Sequence, residues 1–234
     1  MLRVLSLLIL LTPGLPAGAV AGTILVVGDS LSASYGLAVG QGWVSLLQQR
    51  LDARHAGWTV VNASISGDTT AGARARLPQA LERHQPEVVI LALGGNDGLR
   101  GLSLGQMQDN LAAMIESARE QGARVLLVGV QLPPNYGPQY TERFENVYRD
   151  LARQRGVRLM PSLVDGVGTR PELMQGDGIH PNASAQPLMM ERVWEHLQPL
   201  LGAARAAGAT VAANPGIPEE NGCIRGPKTA SSEY

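Results

Sequence analysis

A serine that directly follows a short apolar run is the first residue of this chain that could do chemistry. Ser30 lies in the segment Gly28-Asp29-Ser30-Leu31, after the apolar residues 24–27. A serine hydroxyl attacks a carbonyl carbon only when a base lies within hydrogen-bonding reach and a third group orients that base. Taken alone, Ser30 is better explained as a helix N-cap, a position that serine favours. Acyl transfer is therefore a hypothesis that depends on other parts of the chain.

His180 is the histidine best placed to act as such a base. It lies in the turn-rich segment 176–181, and Asp177 precedes it by three positions. A carboxylate at this spacing can accept a hydrogen bond from one ring nitrogen, fix the tautomer and stabilise the imidazolium ion. Taken alone, an Asx turn with a capping histidine explains the segment equally well. The other histidines lie in or at the ends of predicted amphipathic helices and are His55, His84 and His196.

Two further segments offer donors for the negative charge that develops on a carbonyl oxygen during acyl transfer. Asn96 follows two glycines after the strongest apolar run, and its amide donates without titrating. Gly67 offers a backbone N–H group at a predicted strand-to-helix junction. Each segment alone could be only a turn, and for Gly67 a turn is the favoured interpretation. The occurrence of all these residues in one chain is what indicates a site.

The elements that must position these residues alternate between short aliphatic runs and longer amphipathic stretches. The predicted strands span residues 24–27, 59–62, 88–93, 124–128 and 158–160, and the predicted helices span residues 43–54, 72–84, 103–121, 141–154 and about 184–201. Continuous apolar strands indicate a parallel sheet that is covered on both faces. We therefore expect an α/β fold with a doubly wound parallel sheet, in which ligands bind beyond the carboxyl ends of the strands. Ser30, Gly67 and Asn96 each follow a predicted strand at that edge.

The ends of the chain differ in composition from its middle. Arg3 precedes the apolar residues 5–11, and Ala19-Val20-Ala21 fits a cleavage site, so residues 1–21 are predicted to be a signal peptide. We therefore expect an exported protein, periplasmic or secreted, with one hydrolase domain at residues 22–201. Residues 202–234 begin rich in Ala and Gly and continue with Asn, Pro, Glu and Ser. We expect this tail to be disordered.

Composition also excludes several functions. The formal net charge is −1 and no basic run occurs, so neither nucleic acid nor an anionic membrane surface is an expected partner. After the signal peptide no stretch is apolar enough for stable membrane insertion. The single cysteine, Cys223, excludes an intrachain disulfide. No group of His, Cys and carboxylate residues has metal-ligand spacing, so we expect no metal. We also expect no cofactor, and we expect the protein to be a monomer.

Four segments of the chain together resemble the GDSL or SGNH hydrolase family. Ser30, Gly67, Asn96 and His180 match the four marker residues of that family, in the same order. The matching segments are residues 28–37, 62–70, 93–101 and 177–182, and the resemblance runs from Thr23 to about Leu201. The same segments resemble most a bacterial periplasmic subfamily of multifunctional acyl-CoA thioesterases, lysophospholipases and arylesterases.

This resemblance implies a fold, a set of roles and a substrate class. The implied fold is a flavodoxin-like three-layer sandwich with a five-stranded parallel sheet. The implied nucleophile is Ser30, and the implied base is His180 with Asp177 as its partner. The implied oxyanion hole consists of the backbone amides of Ser30 and Gly67 and the side chain of Asn96. The implied substrates are small acyl esters and thioesters, namely aryl esters, acyl-CoA and lysophospholipids. An apolar acyl pocket is predicted from Leu99, Leu132, Pro133, Tyr136 and Ile179.

Two alternatives to this assignment stay open from the sequence. A carbohydrate acetyl esterase of the same fold would share all four marker residues, but it should carry aromatic platforms for sugar rings. A non-catalytic binding module on a flavodoxin-like scaffold would hold a nucleotide or an anion at the strand ends. No Gly-x-Gly-x-x-Gly segment or P-loop follows the first predicted strand, which argues against the binding module.

Overall fold

A five-stranded parallel sheet forms the centre of the protein. The computed structural model describes residues 22–54 and 57–212. The strands are β1 (Gly22–Gly28), β2 (Trp58–Asn62), β3 (Val88–Ala92), β4 (Arg124–Val128) and β5 (Arg158–Met160). Their order across the sheet is β2-β1-β3-β4-β5, and every neighbouring pair is parallel. This is the order of a flavodoxin-like doubly wound sheet, so the predicted fold is confirmed.

Helices cover both faces of the sheet and make a three-layer structure. They are α1 (Trp43–Arg54), α2 (Thr70–His84), α3 (Gly95–Leu99), α4 (Leu104–Glu120), α5 (Pro138–Arg155) and α6 (Gln186–Ala212). Ile24 and Val26 of β1 pack in the core formed with α1 and α6, whereas Leu25 and Val27 pack with α2, α4 and α5. Successive residues of a strand point to opposite faces, so a strand covered twice needs apolar residues at every position. This is why β1 and β3 read as unbroken apolar runs.

The topology brings several loops to one edge of the sheet. Parallel strands that are joined by crossover helices end on the same side, and β1 and β3 lie at the centre of the sheet. The chain order reverses between these two strands, which opens a crevice at their carboxyl ends. The segments that follow β1, β2 and β3 carry Ser30, Gly67 and Asn96 to this edge.

The structure corrects two sequence-based expectations about helices. Ser30 does not cap a helix: it lies in a run of turns after β1, and α1 begins only at Trp43. The last helix does not end at Leu201, because α6 continues to Ala212 through the first part of the predicted tail. Alanine, which recurs in residues 202–212, is the strongest helix former, and this explains the extension. The predicted signal peptide and residues 213–234 lie outside the described residues.

Candidate active site

Ser30, His180 and Asp177 form a continuous hydrogen-bonded relay. The Nε2 atom of His180 lies 2.9 Å from the Ser30 hydroxyl oxygen. The Nδ1 atom of His180 lies 2.6 Å from Oδ2 of Asp177. Three residues that the sequence placed in two distant segments are thus in direct contact. The geometry is that of a hydroxyl, a base within reach of it and a carboxylate that orients the base.

The Asp177 carboxylate is held in its charged form by its own loop. Its Oδ1 atom accepts the backbone N–H groups of Ile179, at 2.9 Å, and of His180, at 3.0 Å. The His180 backbone N–H, followed by the His180 ring and the Ile179 N–H, lowers the pKa of Asp177 to about 2. A carboxylate that accepts several hydrogen bonds stays ionised at neutral pH. Asp177 therefore presents a fixed negative charge to the imidazole ring.

Asp29 shapes the turn that carries Ser30. Its carboxylate accepts the backbone N–H of Leu31 at 3.1 Å, and its carbonyl accepts the N–H groups of Ser32 and Ala33. The side chain is almost fully buried, and this desolvation raises the pKa of Asp29 to about 6. The turn thereby exposes Ser30 on one side while Asp29 is anchored on the other. Sequence reasoning assigned Asp29 no role of its own.

The loop that carries Gly67 is tied to the segment that carries Asn96. Arg100, which directly follows α3, donates from Nη2 to the Gly67 carbonyl oxygen at 2.9 Å. The buried Asp97 accepts the backbone N–H of Thr70 at 2.9 Å and the Thr70 hydroxyl at 2.6 Å. Thr70 is the first residue of α2, so these bonds join the start of α2 to α3. The segments that carry Gly67 and Asn96 are therefore joined to each other by side-chain hydrogen bonds.

The loop that carries Gly67 also contacts the end of β1, which precedes Ser30. The backbone N–H of Ile65 donates to the Gly28 carbonyl at 3.0 Å, and the side chain of Asn62 donates to the Ser32 carbonyl at 2.8 Å. Gly67 has a φ of +79°, a conformation that glycine adopts without steric cost. Its carbonyl is engaged by Arg100, as described above. The loop therefore flanks the Ser30 turn in a defined conformation.

Comparison with known proteins identifies the family. Residues 26–188 match the model of the GDSL-like lipase/acylhydrolase family. The chain belongs to this family. It is therefore an ester hydrolase, and the alternative of a non-catalytic binding module is wrong.

Three relatives illustrate the similarity of this acylhydrolase to characterised proteins. It is 55% identical over 183 residues to the esterase TesA of Pseudomonas aeruginosa, covering 78% of this chain and 91% of that protein. It is 43% identical over 183 residues to thioesterase 1/protease 1/lysophospholipase L1 of Escherichia coli, covering 78% and 86%. A crystal structure of the psychrotrophic esterase EstA from Pseudoalteromonas, inhibited by monoethylphosphonate, superposes with a TM-score of 0.74 at 39% identity, covering 77% of this chain and 99% of that one.

The cleft beside Ser30 in this acylhydrolase is a shallow surface depression that encloses no cavity. Its lining residues are Ser30, Leu31, Ser34, Tyr35, Leu37, His180, Pro181 and Gln186. A second cleft, with a cavity volume of about 220 Å³, lies between α5 and the segment after β5, and Ser30 and His180 do not line it. We assign the shallow cleft as the candidate site because Ser30 and His180 line it.

The residues predicted to line an acyl pocket lie in different settings. Leu132 is buried in the core, whereas Ile179 is 44% exposed beside His180. The hydroxyl of Tyr136 donates to the carbonyl of Leu99 at 2.9 Å, which joins the loop after β4 to α3. Pro133 is partly buried in the same loop. None of the five lines the shallow cleft, so their role in acyl binding stays a prediction.

Sequence reasoning missed the contribution of Tyr35 to the site. Its ring centroid lies 4.6 Å from that of His180, with the planes tilted by 39°. The motif around Ser30 contains Tyr35, but neither its type nor its spacing indicates a contact with a histidine far along the chain.

The described residues offer no metal site and no membrane-spanning helix. Within residues 22–54 and 57–212 no group of three or more His, Cys, Asp or Glu side chains could hold a metal ion. In the same part of the chain, no helix is both long and apolar enough to cross a bilayer.

Proposed function

We propose that this protein hydrolyses acyl esters and thioesters through an acyl-enzyme formed on Ser30. The observation that carries the proposal is the relay of hydrogen bonds from Ser30 through His180 to Asp177. A neutral imidazole that donates from Nδ1 to Asp177 has its Nε2 lone pair directed at the Ser30 hydroxyl. Deprotonation of that hydroxyl by His180 produces the nucleophile at the moment of attack.

The reaction proceeds in two halves. In the first, Ser30 Oγ attacks the acyl carbonyl carbon while its proton passes to His180. The tetrahedral intermediate then collapses, and His180 returns the proton to the departing alcohol or thiol. In the second half, a water molecule attacks the acyl-enzyme, His180 takes a proton from that water, and the carboxylic acid leaves as Ser30 recovers its proton. Asp177 stabilises the imidazolium ion in both halves without accepting the proton.

The negative charge on the carbonyl oxygen needs donors that are already in place. We assign this role to the backbone amides of Ser30 and Gly67 and to the side-chain amide of Asn96. The bond from Arg100 to the Gly67 carbonyl supports the assignment, because it orients that glycine within its loop. Each such donor lowers the barrier by holding charge that exists only in the transition state.

The surface around Ser30 supports a substrate with an acyl chain. We use the term apolar rim for five exposed side chains in the loops at the carboxyl edge of the sheet. They are Tyr35, Val39, Ile65, Leu102 and Ile179. Within residues 22–54 and 57–201 only one other large apolar side chain, Leu188, is exposed. An apolar surface at the edge of the sheet that carries the nucleophile favours medium or long acyl chains in aryl esters, acyl-CoA and lysophospholipids. The names of the relatives, esterase and thioesterase 1/protease 1/lysophospholipase L1, agree with this proposal.

We propose further that the protein is exported and acts as a monomer. Export rests on the signal-peptide composition of residues 1–21, which lie outside the described residues. The relay of Ser30, Asp177 and His180 is complete without a second copy, so a monomer is sufficient for the proposed chemistry.

Labelling with a fluorophosphonate probe tests the role of Ser30. The parent protein should label stoichiometrically and lose its esterase activity, while Ser30→Ala should neither label nor turn over acyl esters above background. The exposed Ser184→Ala is the control and should behave like the parent. Labelling of Ser30→Ala, or parent-like turnover by it, would show that another group is the nucleophile.

A further inference from the structure

Gln175 lies at the base of the loop that carries Asp177 and His180, and it makes hydrogen bonds in two directions. Its side-chain Nε2 donates to the carbonyl of Tyr35 at 2.9 Å and to the carbonyl of Pro181 at 3.1 Å. Its backbone N–H donates to the carbonyl of His180 at 2.7 Å. One side chain therefore connects the Ser30 turn to the histidine loop.

These bonds complete a closed ring of contacts around the relay. The Tyr35 backbone N–H donates to the Ser30 carbonyl at 3.2 Å, while its ring packs against the His180 ring. His180 in turn reaches Ser30 through Nε2. The path from Ser30 to Tyr35, Gln175, His180 and back to Ser30 leaves little freedom for the loop to shift against the turn.

The histidine loop needs such an attachment because it has little regular structure. It contains no helix or strand between the short turn that ends at Leu173 and the one that begins at Ala183, apart from one bridge between Met174 and Pro181. Asp177 and Ile179 are exposed, and Gly178 has a φ of +68°. The bonds of Asp177 all lie within this loop, so they fix its shape but not its distance from Ser30.

We infer that Gln175 is a positioning residue that sets the distance between His180 Nε2 and the Ser30 hydroxyl. The inference rests on the proposed function, since it assigns a role within the same relay. Gly36 supplies a second observation. A Cβ atom at Gly36 would lie 2.2 Å from the side-chain oxygen of Gln175, so only a glycine there leaves room for the carboxamide. The Ser30 turn therefore leaves space for the Gln175 side chain at Gly36.

Gln175→Met tests this inference, because methionine fills a similar volume and donates no hydrogen bond. We expect kcat to fall by about 10- to 100-fold, the scale of a displacement near 1 Å in a reacting pair. KM should change little, because Gln175 does not line the cleft. Fluorophosphonate labelling of Ser30 should slow by the same factor as kcat. All measurements are made well below the unfolding temperature of each variant.

Gln48→Met is the matched control. The Gln48 side chain also bonds backbone groups, accepting from the Val60 N–H at 2.6 Å and donating to the Trp58 carbonyl at 3.1 Å, but it does so at β2 and α1. This variant should lose stability and keep the kcat of the parent. If Gln175→Met instead keeps kcat within twofold while Ser30→Ala is inactive, the positioning role is overturned and the proposed function stands.

Gly36→Ala gives an independent check on the same contact. The added Cβ should displace the Gln175 carboxamide and lower kcat in the same way. Gly36 has a φ of +72°, so alanine also strains the Ser30 turn directly. If both changes remove the same contact, the double variant should therefore lose no more activity than Gly36→Ala alone. Multiplying losses in the double variant would contradict the inference.

Discussion

Asn96 carries the one side-chain amide among the proposed oxyanion donors. Asn96→Ala should lower kcat by about 10²–10³-fold, since the amide acts on charge that exists only in the transition state. KM should stay close to that of the parent. Steady-state kinetics on an aryl ester measures both, with Asn135→Ala in the exposed loop after β4 as the control. A loss below about threefold would remove Asn96 from the oxyanion hole.

Asp29 should make the stability of the protein depend on pH. Burial raises its pKa from 3.8 to about 6, so the folded state binds the proton more tightly than the unfolded state does. Its contribution to stability is therefore complete below pH 3.8 and is lost as the pH rises through about 6. Asp29→Asn does not titrate, and its side-chain oxygen can still accept from Leu31.

Thermal unfolding of Asp29→Asn and the parent between pH 4 and pH 8 measures this effect. The unfolding temperature of the variant relative to the parent should rise with pH and level off above about pH 7. A difference that falls or stays constant over this range would show that burial does not raise the pKa of Asp29.

At the level of single residues, the sequence pointed to those whose chemical type indicates a role. It did not point to those whose role depends on the conformation of the loops. Ser30, His180 and Asp177 could be selected because few side chains can serve as nucleophile, base or orienting acid. Gln175 and Tyr35 could not, because they act through a carboxamide, a backbone carbonyl and a ring face that many residues offer. Their contacts depend on how two loops without regular structure approach each other.

At the level of elements, the contact between α2 and α3 should contribute measurably to stability. Thr70→Val removes the hydroxyl that donates to the buried Asp97 and accepts from Asn110. Leaving a buried carboxylate oxygen without its partner costs about 1–3 kcal/mol. Urea denaturation should show this loss, whereas Thr59→Val at an exposed position of β2 should stay within about 0.5 kcal/mol of the parent. Equal stabilities of the two variants would contradict the prediction.

The periodicity of apolar residues predicted which segments form helices and strands more reliably than it predicted where each element begins and ends. The predicted bounds of α1, β4 and β5 agree with the structure. The short helix α3 was not predicted, because five residues containing two glycines give no periodic apolar pattern. The end of α6 was placed too early for the opposite reason: an alanine-rich segment without large apolar residues continues a helix through propensity alone.

At the level of the whole molecule, the apolar rim should make turnover depend on acyl-chain length. Each buried methylene can contribute up to about 0.8 kcal/mol, so kcat/KM for p-nitrophenyl esters should rise from acetate towards medium or long chains. The same series on Ser30→Ala gives the background rate. Fastest hydrolysis of acetate, with none beyond butyrate, would contradict the acyl-chain proposal and favour a carbohydrate acetyl esterase.

The global fold was the most predictable property of the chain. Five aliphatic runs separated by amphipathic stretches allow few arrangements once crossovers are right-handed and both faces of the sheet must be covered. The edge at which the site lies follows from the same rules. The shape of the cleft did not follow, because it is set by the packing of loops such as the one that holds Tyr35.

The hydrogen bond between Ser30 and His180 joins residues that are 150 positions apart. The N-terminal part of a chain leaves the ribosome first, so the serine emerges long before the histidine loop has been synthesised. A chain interrupted anywhere before Asp177 carries the hydroxyl without its base. An enzyme with this arrangement cannot hydrolyse thioesters until the segment that carries Asp177 and His180 has been synthesised and has folded against the Ser30 turn.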